Sequence, residues 1–184
     1  MPTRLTPDTT TPDTHTDMTS TQDVLRAMFD HHVWATIALI DALEELPAER
    51  LDAEIPGTYG SLQATLTHLV DADWAYLRRL TTPTSLPREP GPPRALADLR
   101  TEIHDNAARW ADVLIDLEVG TLSATIESQD DYPGTEHAEG LLILQAIHHG
   151  NDHRTQICST LGALGLEVPE LDVWEFWLTR PAPG

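Results

Sequence analysis

Apolar positions step by three and four residues along four stretches of this chain, the spacing of helices that bury one face. From Gln22 to Leu46 the inward run is Leu25, Met28 or Phe29, His32, Ala35, Leu39, Ala42 or Leu43, and Leu46. Pro47 closes it, because a proline disfavours helical backbone in the residue before it. After Pro56-Gly57, Ser61 is placed to cap a second helix reaching about Leu80, with Leu62, Thr65, Leu69, Ala72, Tyr76 and Leu80 as its stripe. A third helix, Arg94 to Leu117, repeats Leu96, Leu99, Ile103, Trp110, Val113 and Leu117 with Asn106 in the same register. An inward asparagine needs partners, either on another helix or on a bound ligand. The fourth helix, Leu141 to Leu161, is followed by Gly162 and Gly165, either of which suits a left-handed cap.

The connections differ in kind. Thr81 to Pro93 is too rich in proline to be helical in its middle, and its length permits a crossover between the second and third helices. Thr121 to Glu127 alternates as a short strand or extended lid, and the turn-rich stretch to Gly140 completes a cover for one end of the bundle. The tail from Val168 to Arg180 carries Trp174, Phe176 and Trp177 in a short helical pattern that packs on the bundle or across a subunit interface. Residues 1–21 are threonine, proline and aspartate with almost nothing to bury, so a disordered arm is predicted there. The expected architecture is all-α: one four-helix bundle domain over residues 22–180, with a long crossover between helices 2 and 3.

Charge narrows the partners. The chain of 184 residues has eleven arginines, no lysine and a formal net charge of -19, which disfavours nucleic acid and anionic membrane surfaces. No stretch approaches the ~18 consecutive apolar residues of a membrane span, and the first twenty residues hold no apolar secretion segment. A cytoplasmic location is the expectation. The single cysteine, Cys158, allows no internal disulfide and falls about 180° around the fourth helix from His149, as a buried spectator.

Histidines supply the candidate chemistry. His149 and His153, four residues apart, lie about 40° from one another around the fourth helix, and Leu142, Ala146, Thr160 and Leu164 fall within roughly 60° of His149. The pair therefore faces inward. Inward imidazoles are either neutral core groups satisfied by hydrogen bonds or ligands of a metal ion at ~2.0–2.1 Å. His148 lies about 140° from His153 and cannot readily share an ion with it. His68, at the margin of the second helix's stripe, can meet the pair as a facial three-histidine set that leaves coordination positions open for water or a substrate. His32, on the inward stripe of the first helix, and its neighbour His31 are candidates to border a bundle cavity. His104 points to solvent, and His15 sits in the arm.

Thr65-Leu66-Thr67-His68-Leu69 in the first half, and His149-x-x-x-His153-Arg154-x-Gln156-Ile157 near the end, resemble the motifs of the DinB-like superfamily of metal-binding four-helix bundles. Trp34-Ala35 and the segment from Pro169 to Trp177 fit the same resemblance, which covers about residues 22–178. Two positions depart from the family's pattern: Thr155 stands where glycine is usual after the His-Arg pair, and Thr36 where asparagine follows the tryptophan by two. The resemblance implies that His68, His149 and His153 are metal ligands, that the metal is a divalent ion, nickel or zinc before iron or manganese, and that the protein is a homodimer.

Three functions are compatible with these residues. In the first, which the resemblance implies because some relatives of this fold use such a thiol, the metal activates a low-molecular-weight thiol for S-transfer or isomerisation of a small-molecule substrate in stress or detoxification, with Arg154 steadying a carboxylate or serving only in a salt bridge. In the second, metal-bound hydroxide hydrolyses a substrate, although Asp152 points away from the pair and no general base stands in the motifs. In the third, the bundle binds a metal or small ligand without catalysis.

Overall fold

The structure, a computed structural model, describes residues 20–81, 91–118, 125–127 and 136–179. Four long helices, α1 (Thr21–Glu44), α2 (Leu62–Thr81), α3 (Leu96–Glu118) and α4 (Glu139–Ala163), are followed by a short α5 (Val173–Thr179). Strands β1 (Thr125–Glu127) and β2 (Glu136–Ala138) pair antiparallel, with Ile126 opposite His137. The strand expected within 121–127 thus exists at its end, and residues 121–124 and 128–135 lie outside the described residues. So does the predicted arm as far as residue 19. Thr21, assigned to that arm, instead opens α1, because Ser20 and Asp23 form a reciprocal capping box: each backbone N–H donates to the other's side chain at 3.1 Å. Ser61 caps α2 as its sequence position implies, accepting from the backbone N–H of Ala64 at 3.3 Å.

Contacts between the helices fix their directions. Along α2 and α3 the partners advance together: Thr67 and Asp71 meet Arg94, Asp73 meets Asn106 and Trp110, and Leu77 and Leu80 cluster with Val113 and Leu114. These helices are parallel. Against α4 the order reverses, since His68 meets His149 while Leu77 and Leu80 cluster with Leu142 and Ile143. α1 is likewise antiparallel to α3, from Gln22 at Leu114 to Asp41 and Glu44 at Arg100. Two helices therefore run one way and two the other, with α1 and α2 at opposite corners and α3 and α4 at the other two. A parallel α2–α3 pair requires the chain to return along the whole of α2, 20 residues and so about 30 Å. The connection from Thr81 to Leu96 reaches that far even when it is not fully extended. The expected crossover is present.

The apolar core divides into two halves. One gathers Leu39, Leu43, Leu66, Leu69, Leu99, Ile103, Ile157 and Leu161, and the other Phe29, Leu77, Trp110, Leu114, Leu142, Ala146 and Ile147. Between them each of the four long helices contributes a polar group: His32 and Thr36 from α1, Asp73 from α2, Asn106 from α3, and His153 and Arg154 from α4, all buried. The stripe predicted for α2 is displaced at its centre, where Asp73 and Leu77 are buried while Ala72 and Tyr76 are half-buried. α4 ends in a Schellman motif: Gly165 at φ +69° donates to the carbonyl of Gly162, and Leu166 to that of Leu161, both at 3.0 Å.

Candidate metal centre

α2 and α4 bring His68, His149 and His153 together. Nε2 of His149 lies 3.2 Å from Nε2 of His68 and 3.1 Å from Nε2 of His153, and each ring offers one nitrogen within 4.8 Å of the others. A divalent ion at ~2.0–2.1 Å from two imidazole nitrogens holds them about 2.9 Å apart at a right angle and about 3.3 Å apart at the tetrahedral angle. Both of these separations fall between those limits, and the nitrogens of His68 and His153 lie within 4.8 Å of one another, so His149 is spaced to share an ion with either and the three rings form a candidate donor set. The expectation that these three rings meet is met by their geometry, and the convergence is all imidazole. His148 is exposed.

Electrostatics keep the three rings neutral. Burial lowers His68 to about 4, with the His153 charge assisting, and lowers His149 to about 3, with His153 and His68 assisting. Burial lowers His153 as well, against the pull of Gln156 and Asp152. A neutral imidazole keeps one nitrogen as an electron-pair donor, the form that metals bind. Gln156, one turn on from His153, selects which nitrogen that is. Its Oε1 lies 3.3 Å from Nδ1 of His153 and accepts the backbone N–H of Tyr59 at 2.8 Å. An amide oxygen only accepts, so the His153 proton sits on Nδ1 and the lone pair of Nε2 turns inward.

Tyr59, in the loop before α2, caps the cluster. Its ring stacks on His68 at 4.0 Å between centroids and 10° between planes, and meets His153 edge-on at 5.5 Å. The Tyr59 side chain remains 53% exposed, so the histidines sit one ring's thickness from solvent. Tyr76 meets His149 edge-on from within α2 at 5.8 Å. Neither tyrosine was singled out in the sequence as part of the site. The spacing places Tyr76 on the core stripe of α2, and Tyr59 lies in a loop where periodicity is silent.

Behind the cluster runs a buried network. Asp73 accepts Nδ2–H of Asn106 at 2.9 Å and the indole N–H of Trp110 at 2.8 Å, so the inward asparagine finds its partner on another helix. Arg154, for which the sequence offers a carboxylate clamp or a salt bridge, takes neither role among the described residues. It is buried, and donates from Nη1 to Nδ1 and the carbonyl of His32 and to Oγ1 of Thr36, and from Nη2 to Oδ1 of Asn151. Burial lowers its pKa to about 10, which leaves it charged at neutral pH. A guanidinium only donates, so Nδ1 of His32 accepts and its proton sits on Nε2, 3.3 Å from Oδ1 of Asp73 though not aligned for a hydrogen bond. His32 thus belongs to the buried network and not to the convergent triad. A Cβ at Gly150 would come within 2.5 Å of the His32 ring, so glycine is what lets α4 lie against it. His31 turns away from the triad, with Nε2 2.8 Å from the carbonyl of Leu171.

Thr36 and Thr155, the two departures from the family pattern, both fall at Arg154: Thr36 is its hydrogen-bond partner, and Thr155 follows it in α4 with Oγ1 on the carbonyl of Asn151. Cys158 is half-buried on the α1 side of α4, and Asp152 and His104 are exposed. No helix among the described residues is long and apolar enough to cross a membrane. Comparison with curated proteins finds no match. The DinB family matches residues 16–182, nearly the whole chain, and the bundle, its crossover and the histidine cluster agree with that match: this chain belongs to the DinB family.

Proposed function

We propose that His68, His149 and His153 hold one divalent transition-metal ion, nickel or zinc before iron or manganese, and that the site serves thiol-dependent transfer or isomerisation of a small electrophilic substrate. The observation that carries this reading is the convergence of three neutral Nε2 atoms at 3.1 and 3.2 Å beneath a half-exposed tyrosine. A bound divalent ion with open positions would keep a coordinated thiol deprotonated at neutral pH. The chain's own residues do the rest: Gln156 holds the His153 tautomer, Tyr59 shields the cluster on one side, and burial keeps protons off the rings.

Thiol chemistry is favoured over hydrolysis by what surrounds the cluster. A hydrolytic water needs a general base within hydrogen-bond reach. Asp73, the buried carboxylate among the described residues, already has both oxygens engaged by Asn106 and Trp110, and Asp152 is exposed. Hydrolysis, and metal or small-ligand binding without catalysis, are the remaining readings. We further place the protein in the cytoplasm as a homodimer acting in stress or detoxification, with the exposed Val173, Trp174 and Leu178 of α5 as candidates for the interface.

Elemental analysis of protein purified without a histidine tag tests the site, with about one equivalent of a transition metal expected for native protein and under about a tenth for His149→Ala. Metal-loaded protein is then assayed with bacillithiol, mycothiol or glutathione and electrophilic acceptors. Turnover lost in His149→Ala supports the enzyme reading, and inactivity with all three thiols overturns it while leaving metal binding intact.

A further inference from the structure

A second cavity, of about 400 Å³, opens on the side of α4 that faces α1 and the segment before α5, and none of the triad histidines lines it. Its walls include His31, Asn151, Arg154, Cys158, Ser159 and Leu171. The hydrogen bond between His31 and the Leu171 carbonyl ties the far wall to α1. Arg154 is the unusual member, because it is a charged group that is only 4% exposed and yet lines an open cavity. Its hydrogen-bond partners are His32, Thr36 and Asn151, and among the described residues no carboxylate lies within ion-pair distance of it. Asp73, behind His32, is the acidic group whose charge favours the guanidinium, but it stands beyond ion-pair distance, so the buried cation is only partly compensated and an anion entering the cavity would add to that compensation.

We propose that this cavity is a binding site for a small monocarboxylate, held by the guanidinium of Arg154. Nη1 is engaged by His32 and Thr36 and one Nη2 hydrogen by Asn151, so the edge left to a carboxylate is the planar two-donor one formed by Nε and Nη2. One cation on a chain of formal net charge -19 favours a single negative charge over a phosphate dianion. Leu171 and the Cys158 thiol offer an apolar surface to the rest of the ligand, and the hydroxyl of Ser159 stands on the exposed rim. The site is separate from the histidine cluster and does not depend on the metal there.

Cys158, the only cysteine in the chain, makes the cavity chemically addressable. Its thiolate displaces iodide from either iodoacetate or iodoacetamide, forming the same carbon–sulfur bond and releasing the thiol proton to solvent, so the ratio of the two rates cancels the reactivity of the sulfur. A strongly acidic protein repels iodoacetate, and without a carboxylate site the amide reacts faster. With the site, carboxymethylation saturates with iodoacetate concentration, outpaces carbamidomethylation at least about tenfold at low reagent, and is slowed by benzoate. The advantage is expected to fall at least about tenfold in Arg154→Lys, which keeps the charge but loses the fork, and in Ser159→Trp, which fills the rim without touching the buried network.

Iodoacetate slower than iodoacetamide, with a linear dependence on concentration, overturns the proposal. So does inorganic phosphate protecting Cys158 as well as benzoate does, which would indicate a general oxyanion site. Zinc-loaded and chelator-treated protein are expected to give the same ratio, and a ratio that collapses on chelation would place the carboxylate at the histidines instead. If neither reagent modifies Cys158, calorimetric titration with benzoate decides: heat that disappears in Ser159→Trp supports the site, and no heat with the native protein refutes it.

Discussion

The indole nitrogen of Trp110 on α3 donates to Oδ1 of Asp73 on α2 at 2.8 Å, deep in the layer that separates the two halves of the core. Asn106 occupies the other carboxylate oxygen, so one acidic side chain ties two turns of α3 to α2. Trp110→Phe keeps the ring against Phe29 and removes only the donor, and is expected to cost about 1.5–3 kcal/mol, the range for a buried hydrogen bond to a charged group. Asp73→Ala strands both donors and is expected to cost about 3–5 kcal/mol. Urea denaturation of the two variants measures both, and a neutral Trp110→Phe would remove the indole bond from the account of stability.

Gly150 and Gly162 lie on the same helix and are expected to respond in opposite directions. Alanine has a helix propensity better than glycine by about 1 kcal/mol, which is the gain expected at Gly162, where a Cβ meets Val168 at an ordinary 3.7 Å. At Gly150 the same methyl would press on the ring of His32 and on Arg154, at 2.5 and 3.1 Å. Gly150→Ala is therefore expected to destabilise by about 1–3 kcal/mol net, as overpacking does in a filled core. Thermal denaturation of both variants gives the signs.

Gln156 is expected to act through His153. Removing its carbonyl in Gln156→Leu leaves Nδ1 of His153 without an acceptor and frees the ring to change tautomer. Zinc affinity measured by chelator competition is expected to fall by about 10–100-fold, with the fold intact by circular dichroism. Unchanged affinity would show that the helix alone orients His153.

The depressed histidines set a pH dependence for the metal-free protein. Folding holds His68 at about 4 and His149 at about 3, mainly by burial, against 6.5 for a free imidazole. Between those values the unfolded chain binds protons that the folded chain refuses, so stability rises with pH there. The metal-free protein is expected to be at full stability above about pH 6.5 and to lose stability as the pH falls from there toward about 4. Urea midpoints at about pH 7.5 and about pH 5 test it, and replacing the three histidines together should flatten the difference.

Much of this molecule was legible in its residues. The α3 stripe was read correctly from Leu96 to Val113, Asn106 included, because every buried position but that one is apolar and the spacing is regular. The α2 stripe was read one position off at Asp73, since a carboxylate does not register as a core residue until Asn106 and Trp110 are seen to satisfy it. The burial of Arg154 is hidden in the sequence for the same reason: a charge reads as a surface group when the side chains that satisfy it come from α1, more than a hundred residues earlier. The triad was accessible because its three members share one residue type and the i,i+4 pair has a helical signature. Tyr59 was not, because its place over His68 depends on a loop and on a backbone bond to a residue of α4.

The two helices that carry the histidine cluster are far apart in the chain, with His68 and His149 81 positions apart and all of α3 between them. A nascent or truncated polypeptide that stops before α4 owns one of the three donors, and a severed α4 owns two. Tight retention of an ion by this donor set would therefore require α2 and α4 to be both present and packed together, and would report on the assembly of the bundle.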